Sequence, residues 1–128
     1  MVSKMRAQRV ADRIRKELSE LLLYEISDPR LAGVTVTDVT VDREMAFANI
    51  YVSAVEGSSR AEEIIEGLEH AQGYIRRVLS QRVDLRTFPK LRFHWDPTAE
   101  RADHIEQLLA SLDDETSDHD QEGTLDDE

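Results

Sequence analysis

The sequence contains no cysteine, which excludes disulfides, thiolate metal sites and a cysteine nucleophile. No stretch approaches the roughly 18 consecutive apolar residues that a membrane-spanning helix needs. No signal-peptide pattern opens the chain. A disulfide-stapled secreted domain and an integral membrane protein are therefore set aside, and a reducing cytoplasm is the expected compartment. Phosphate-loop, dinucleotide and nucleophile-elbow glycine motifs are missing too, so no catalytic residues are assigned. His70, His94, His104 and His119 lack the spacing of metal ligands, and no cofactor is implied. Asp118, Asp120 and Glu122 alternate like the start of a calcium loop, but the turn glycine and terminal ligand are not in place. Aromatic residues make up only 5% of the chain, few for a surface that reads bases mainly by stacking.

What remains is 128 residues, 40% hydrophobic, enough for one domain with an apolar core. The formal net charge of −11 is unevenly distributed. Residues 113–128 hold nine carboxylates and no Lys or Arg, and the other 112 residues carry a net of only −2. Twelve of the sixteen basic residues fall in two windows. The first holds Lys4, Arg6, Arg9, Arg13, Arg15 and Lys16 against Asp12 alone. The second holds Arg76, Arg77, Arg82, Arg86, Lys90 and Arg92 against Asp84 alone. On charge alone each is either a solvated face or an anion-binding surface.

Periodicity places these windows on elements. Residues 4–24 read as an amphipathic helix with Ser3 as N-cap. Ala7, Val10, Ile14, Leu18, Leu21 and Leu22 form one apolar stripe. Arg6, Arg9, Arg13 and Lys16 recur at three and four on a line roughly 130° away. Asp28-Pro29 stops the helix and Gly33 marks a turn. Residues 34–42 and 46–55 read as strands joined by a short antiparallel connection, with a bulge expected near Thr37-Asp38, where the apolar phase slips. Ser59 and Glu62 have capping-box spacing, and helical periodicity runs from about Arg60 to Arg82 with a break expected at Ala71-Gln72-Gly73. Residues 90–95 alternate as a third strand, with Leu91, Phe93 and Trp95 on the packed side. A helix follows Asp96-Pro97. The fold class is α+β: a three-stranded sheet with helices packed on it, in the order α-β-β-α-α-β.

This order, with its small-residue break, resembles a type II KH domain, and more specifically the bacterial ribosome-binding factor A family. The resemblance rests on Arg9-Val10, Ile14 and Leu18, Asp28-Pro29-Arg30-Leu31, and Val34-Thr35-Val36-Thr37-Asp38-Val39. It continues through Ala48, Tyr51-Val52-Ser53, Ala71-Gln72-Gly73-Tyr74-Ile75-Arg76, Leu85-Arg86, Pro89, Leu91, Phe93 and Asp96. It implies a KH-like domain over residues 1–96 with an Ala-x-Gly kink in place of the KH GXXG loop. An accessory helix over 97–112 and a disordered acidic tail over 113–128 are expected from composition. Asn49 departs from the family, where Lys is common.

The resemblance further implies a non-catalytic assembly factor that binds the immature small ribosomal subunit and its rRNA. It implies aid to late maturation and to 5′-end processing of the precursor, a role in the cold, a link to assembly GTPases, and a cytoplasmic monomer that needs no membrane. The RNA-binding candidates are Arg6, Arg9, Arg13, Lys16, Ala71, Gln72, Gly73, Arg76, Arg77, Arg82, Arg86, Lys90 and Arg92. Some of these have structural alternatives: Gly73 could relieve helix crowding, and Arg82 could pair with Asp84 or Glu69. Arg30 reads as the anchor of its own turn. Recognition is expected to rest on phosphate and RNA shape. A protein-only interaction module using the basic first helix, and a small α+β enzyme, are the competing readings.

Overall fold

A computed structural model describes the backbone of residues 1–123 and the side chains of residues 1–113. Two compact units result, Met1–Asp96 and a second beginning at Pro97.

In the first unit, helix α1 spans Lys4–Tyr24, and Ser3 accepts the Arg6 N–H at 3.1 Å as its N-cap. All six residues of the apolar stripe are buried, with Ile14, Leu18 and Leu21 fully so, while Arg6, Arg9, Arg13 and Lys16 are exposed. A short 3-10 turn, Pro29–Leu31, leads into strands β1 (Val34–Val41) and β2 (Phe47–Ala54), which pair antiparallel. The register shifts between Val36 and Asp38, as the phase slip predicts. At this bulge the Thr37 hydroxyl donates to Asp96 Oδ2 at 2.6 Å, tying it to the end of the third strand.

Helices α2 (Ala61–His70) and α3 (Gln72–Arg82) meet at Ala71, so the expected break is present. The capping box is not. A 3-10 turn, Gly57–Arg60, precedes α2, Arg60 occupies the N-cap position, and the Ser59 hydroxyl donates to the Glu56 carbonyl instead. Strand β3 (Lys90–Trp95) pairs parallel to β2, giving the order β1-β2-β3. Such a parallel pair needs a crossover connection, which α2 and α3 supply. Helix α1 lies along β1, α2 and α3 contact β3, and α1 touches α3. The core joins Ile14, Leu18 and Leu21 to Ile50, Val52, Ile64, Leu68, Ile75 and Leu79. Each such side chain, fully withdrawn from water, contributes roughly 1.5–3 kcal/mol. Phe93 is buried and Trp95 packs against the core, as the strand's alternation predicts.

In the second unit, helix α4 spans Thr98–Gly123, so its backbone continues past the boundary expected at residue 112. The side chains of the expected acidic tail from residue 114 on, the calcium-like Asp118, Asp120 and Glu122 among them, fall outside the described residues. Among the described residues no helix is long and apolar enough to cross a membrane, and no group of His, Asp or Glu side chains is placed to hold a metal.

Candidate nucleic-acid interface

Because α1 turns its apolar stripe inward, its cationic row must face out, and the α1–α3 contact brings Arg82 and the neighbouring Arg86 of the second basic window alongside it. Arg6, Arg9 and Arg13 line one groove with Val10, Arg82, Val83, Asp84 and Leu85. Arg6 also borders an adjoining groove that contains Arg86. Two stretches some seventy residues apart in sequence thus meet at Arg6, which lines both grooves, with Asp84 and Glu44 as the acidic members of the lining, and exposed Lys16 lies further along α1.

The cations in this surface differ in what holds them. Arg6, Arg9, Lys16 and Arg86 are exposed and form no ion pair with the described residues. Their guanidinium and ammonium groups stay available to phosphate oxygens. Arg13 and Arg82 are engaged with the fold. Arg13 Nε donates to Glu17 Oε2 at 3.1 Å, and its Nη2 donates to the Arg82 carbonyl at 3.2 Å. Arg82 Nη2 donates to both Glu25 carboxylate oxygens, at 2.7 and 2.8 Å, with Glu17 Oε1 3.8 Å from its Nη1. The partners expected for Arg82, Asp84 and Glu69, are therefore replaced by Glu25 and Glu17. The hydrogen bond that Arg82 donates to Glu25, and then the charges of Glu25, Glu17 and Glu20, hold the Arg82 pKa above its ordinary value. Glu17, buried between the two arginines, makes this cluster a brace between α1 and α3.

The remaining candidates divide similarly. Arg76 donates to the carbonyls of Phe88 (2.7 Å) and Pro89 (3.3 Å), fastening the loop that enters β3. Gln72 Nε2 donates to the Leu91 carbonyl at 2.9 Å, so the start of α3 is tied to the sheet. Arg77 lies 5.5 Å from the Tyr74 ring centroid. Ala71 is half-buried at the break. A Cβ added at Gly73 would meet nothing within 4 Å, so this glycine does not relieve crowding. Its main chain is open to approach. The crowded glycine is Gly67, where a Cβ would lie 3.1 Å from Leu31 and 3.2 Å from Arg30.

Arg30 anchors its turn as expected: its Nε and Nη2 donate to the two carboxylate oxygens of Asp28, at 3.2 and 2.9 Å. Lys90 and Arg92 stand on the outward face of β3, away from the groove-lining residues of α1. The Arg92 guanidinium sits 3.5 Å from the Phe47 ring centroid. Beside it Tyr51 stacks on His94, with centroids 5.0 Å apart, and His94 Nε2 lies 2.9 Å from Asn49 Oδ1. Alternation sets Phe93 and Trp95 on the packed side of β3, and Phe47, Tyr51 and His94 are not among the residues expected to bind RNA. The signal was available, since these occupy the phase opposite to Ala48, Ile50, Val52, Leu91 and Phe93.

Fold and surface together define a layered α+β domain with a row of exposed cations along its first helix, Arg86 beside that row, and further cations on the outer face of β3. The family model for ribosome-binding factor A matches residues 6–109, and the chain belongs to that family. It is 46% identical over 105 residues to the ribosome-binding factor A of Alcanivorax borkumensis, covering 81% of this chain and 77% of that one. It is 40% identical over 104 residues to that of Aromatoleum aromaticum, covering 81% and 82%. The crystal structure of ribosome-binding factor A from Thermus thermophilus superposes with a TM-score of 0.63 at 25% identity, over 70% of this chain and 93% of that one. A Thermus thermophilus ribosome-binding factor A homology model, fitted into a cryo-EM map of a 30S complex, shares the fold with a TM-score of 0.53 at 23% identity, over 72% and 92%.

Proposed function

We propose that this protein is a non-catalytic assembly factor that binds the immature small ribosomal subunit through its rRNA. In this reading it aids late maturation and 5′-end processing of the precursor, matters most in the cold, works with assembly GTPases and acts as a cytoplasmic monomer. Membership of a family named for ribosome binding supports the ribosome as target. The observation that carries RNA contact is the meeting of Arg6, Arg9 and Arg86 on one surface while neighbouring arginines are held internally. Free arginines attract phosphate oxygens, and a surface of this kind recognises a backbone before it recognises bases.

The test is co-sedimentation with small subunits at graded salt, using Arg6→Gln, Arg9→Gln and Arg86→Gln combined. Arg13 and Arg82 are left intact because they brace the fold. The variant is expected to melt like the parent, bind more weakly, and show a log affinity against log salt slope shallower by roughly 2 to 3, about one per lost phosphate contact. Unchanged retention would remove this surface from the interface. Retention of the parent after RNase treatment would favour a protein-only contact.

A further inference from the structure

The sheet of the first unit is covered by α1, α2 and α3 on one face, where Val36, Val39, Ala48, Ile50, Val52, Leu91 and Phe93 are buried. Alternation turns Phe47, Asn49 and Tyr51 of β2, and Lys90, Arg92 and His94 of β3, to the other face. In register these form three rows: Phe47 with Lys90, Asn49 with Arg92, and Tyr51 with His94. Two of the planar groups from β3 lie against rings from β2, Arg92 over Phe47 and His94 over Tyr51. Asn49 fixes the His94 ring through its hydrogen bond. The strand order leaves β3 at the edge of the sheet, so no further strand among the described residues lies beyond these two planar groups. They are two residues apart on one strand, hence roughly 6.6 Å along it.

A planar cation and a half-buried, held imidazole, each backed by an aromatic ring, share one strand face with the exposed Lys90 two residues before Arg92, so π-systems and positive charge lie on the same face. That combination fits the base and phosphate of a single-stranded nucleic acid. A paired helix, whose base faces are already stacked, offers nothing to these groups but phosphate. We propose that the outer sheet face is a second RNA-contacting surface, where unpaired nucleobases stack on His94 and the Arg92 guanidinium while Lys90 takes an adjoining phosphate. This surface is separate from the basic groove of α1 and adds base stacking to the phosphate contact proposed there.

The experiment measures binding of the full chain to a short fluorescein-labelled oligoadenylate and to a blunt RNA duplex of equal length, by anisotropy. His94→Ala and Arg92→Lys are each expected to weaken oligoadenylate binding roughly 5- to 150-fold, the span that loss of one stacking contact produces. Duplex binding is expected to stay within about twofold. Arg92→Lys keeps the charge and the stem, so a loss there reports planarity. His94→Phe restores the ring face and is expected to recover most of the affinity. The salt slope stays unchanged in His94→Ala and becomes shallower in the Arg6, Arg9 and Arg86 variant, which separates the two surfaces. Parental oligoadenylate affinity in both His94→Ala and Arg92→Lys, or no oligoadenylate binding by the parent at low salt, would overturn the stacking surface. The groove would then stand or fall on its own test. Thermal melting checks each variant, and Arg92→Lys decides alone if His94→Ala does not fold.

Discussion

Gly67 and Gly73 look alike in the sequence, two glycines in helical periodicity, each costing about 1 kcal/mol relative to alanine in a helix interior. Their surroundings give them opposite roles. At Gly67 the helix passes so close to Leu31 and Arg30 that a methyl group would displace them by a few tenths of an ångström. At Gly73 the same methyl would project into open space. Gly73→Ala should therefore raise stability, by less than the roughly 1 kcal/mol of a helix interior because Gly73 is the second residue of α3. Gly67→Ala should lower it by about 1 kcal/mol, because overpacking outweighs the propensity gain. Chemical denaturation of the two variants side by side checks both signs. If RNA approaches the open main chain at Gly73, the stabilised variant also binds small subunits more weakly, a divergence that packing alone does not produce.

Among the elements, the short turn between α1 and β1 is the most dependent on charge. Asp28 accepts the Arg30 backbone N–H at 2.9 Å and both arms of its side chain. The side-chain hydrogen bond from Arg30, then the backbone one, hold the Asp28 carboxyl below its ordinary range. A carboxylate with a depressed folded pKa stabilises the fold fully above its unfolded value, and loses that contribution as pH falls through the folded one. Melting temperature should thus drop in acid below about pH 4, and Asp28→Asn should flatten that part of the profile while lowering stability at neutral pH. A variant with the parental acid profile would show the turn to be held by Pro29 and packing alone. The element boundaries themselves were largely legible in the sequence: the stripe of α1, the bulge near Thr37 and the break at Ala71 all follow from local period and residue size. The pairings that decide which cations remain free were not. Arg82 meets Glu25 across 57 residues and Arg76 reaches carbonyls 12 and 13 residues on, distances that no local pattern encodes. Three of the twelve cations in the two basic windows, Arg13, Arg76 and Arg82, are consequently held by the fold, and the long-range contacts of Arg76 and Arg82 are visible only in the tertiary structure.

At the scale of the whole molecule, an acidic chain can expose clustered cations because its charges are segregated along the sequence. Nine of its 27 acidic residues lie in the last sixteen positions, and the other 112 residues are nearly neutral overall. Net charge acts over a Debye length of about 10 Å at 0.1 M salt and about 30 Å at 0.01 M. Carboxylates tethered to the same chain as Arg6, Arg9 and Arg86 therefore oppose the approach of stray RNA most strongly when salt is low. Removing residues 113–128 should strengthen binding to a random-sequence RNA several-fold in dilute buffer, and the difference should shrink steadily as salt is added. Affinity for small subunits should change less, since a shaped surface supplies contacts beyond long-range attraction. Anisotropy titrations of the two proteins across a salt series measure both quantities. Equal affinities at the lowest salt would leave those carboxylates with solubility as their physical effect, and the selectivity of the basic groove would then have to come from its shape alone.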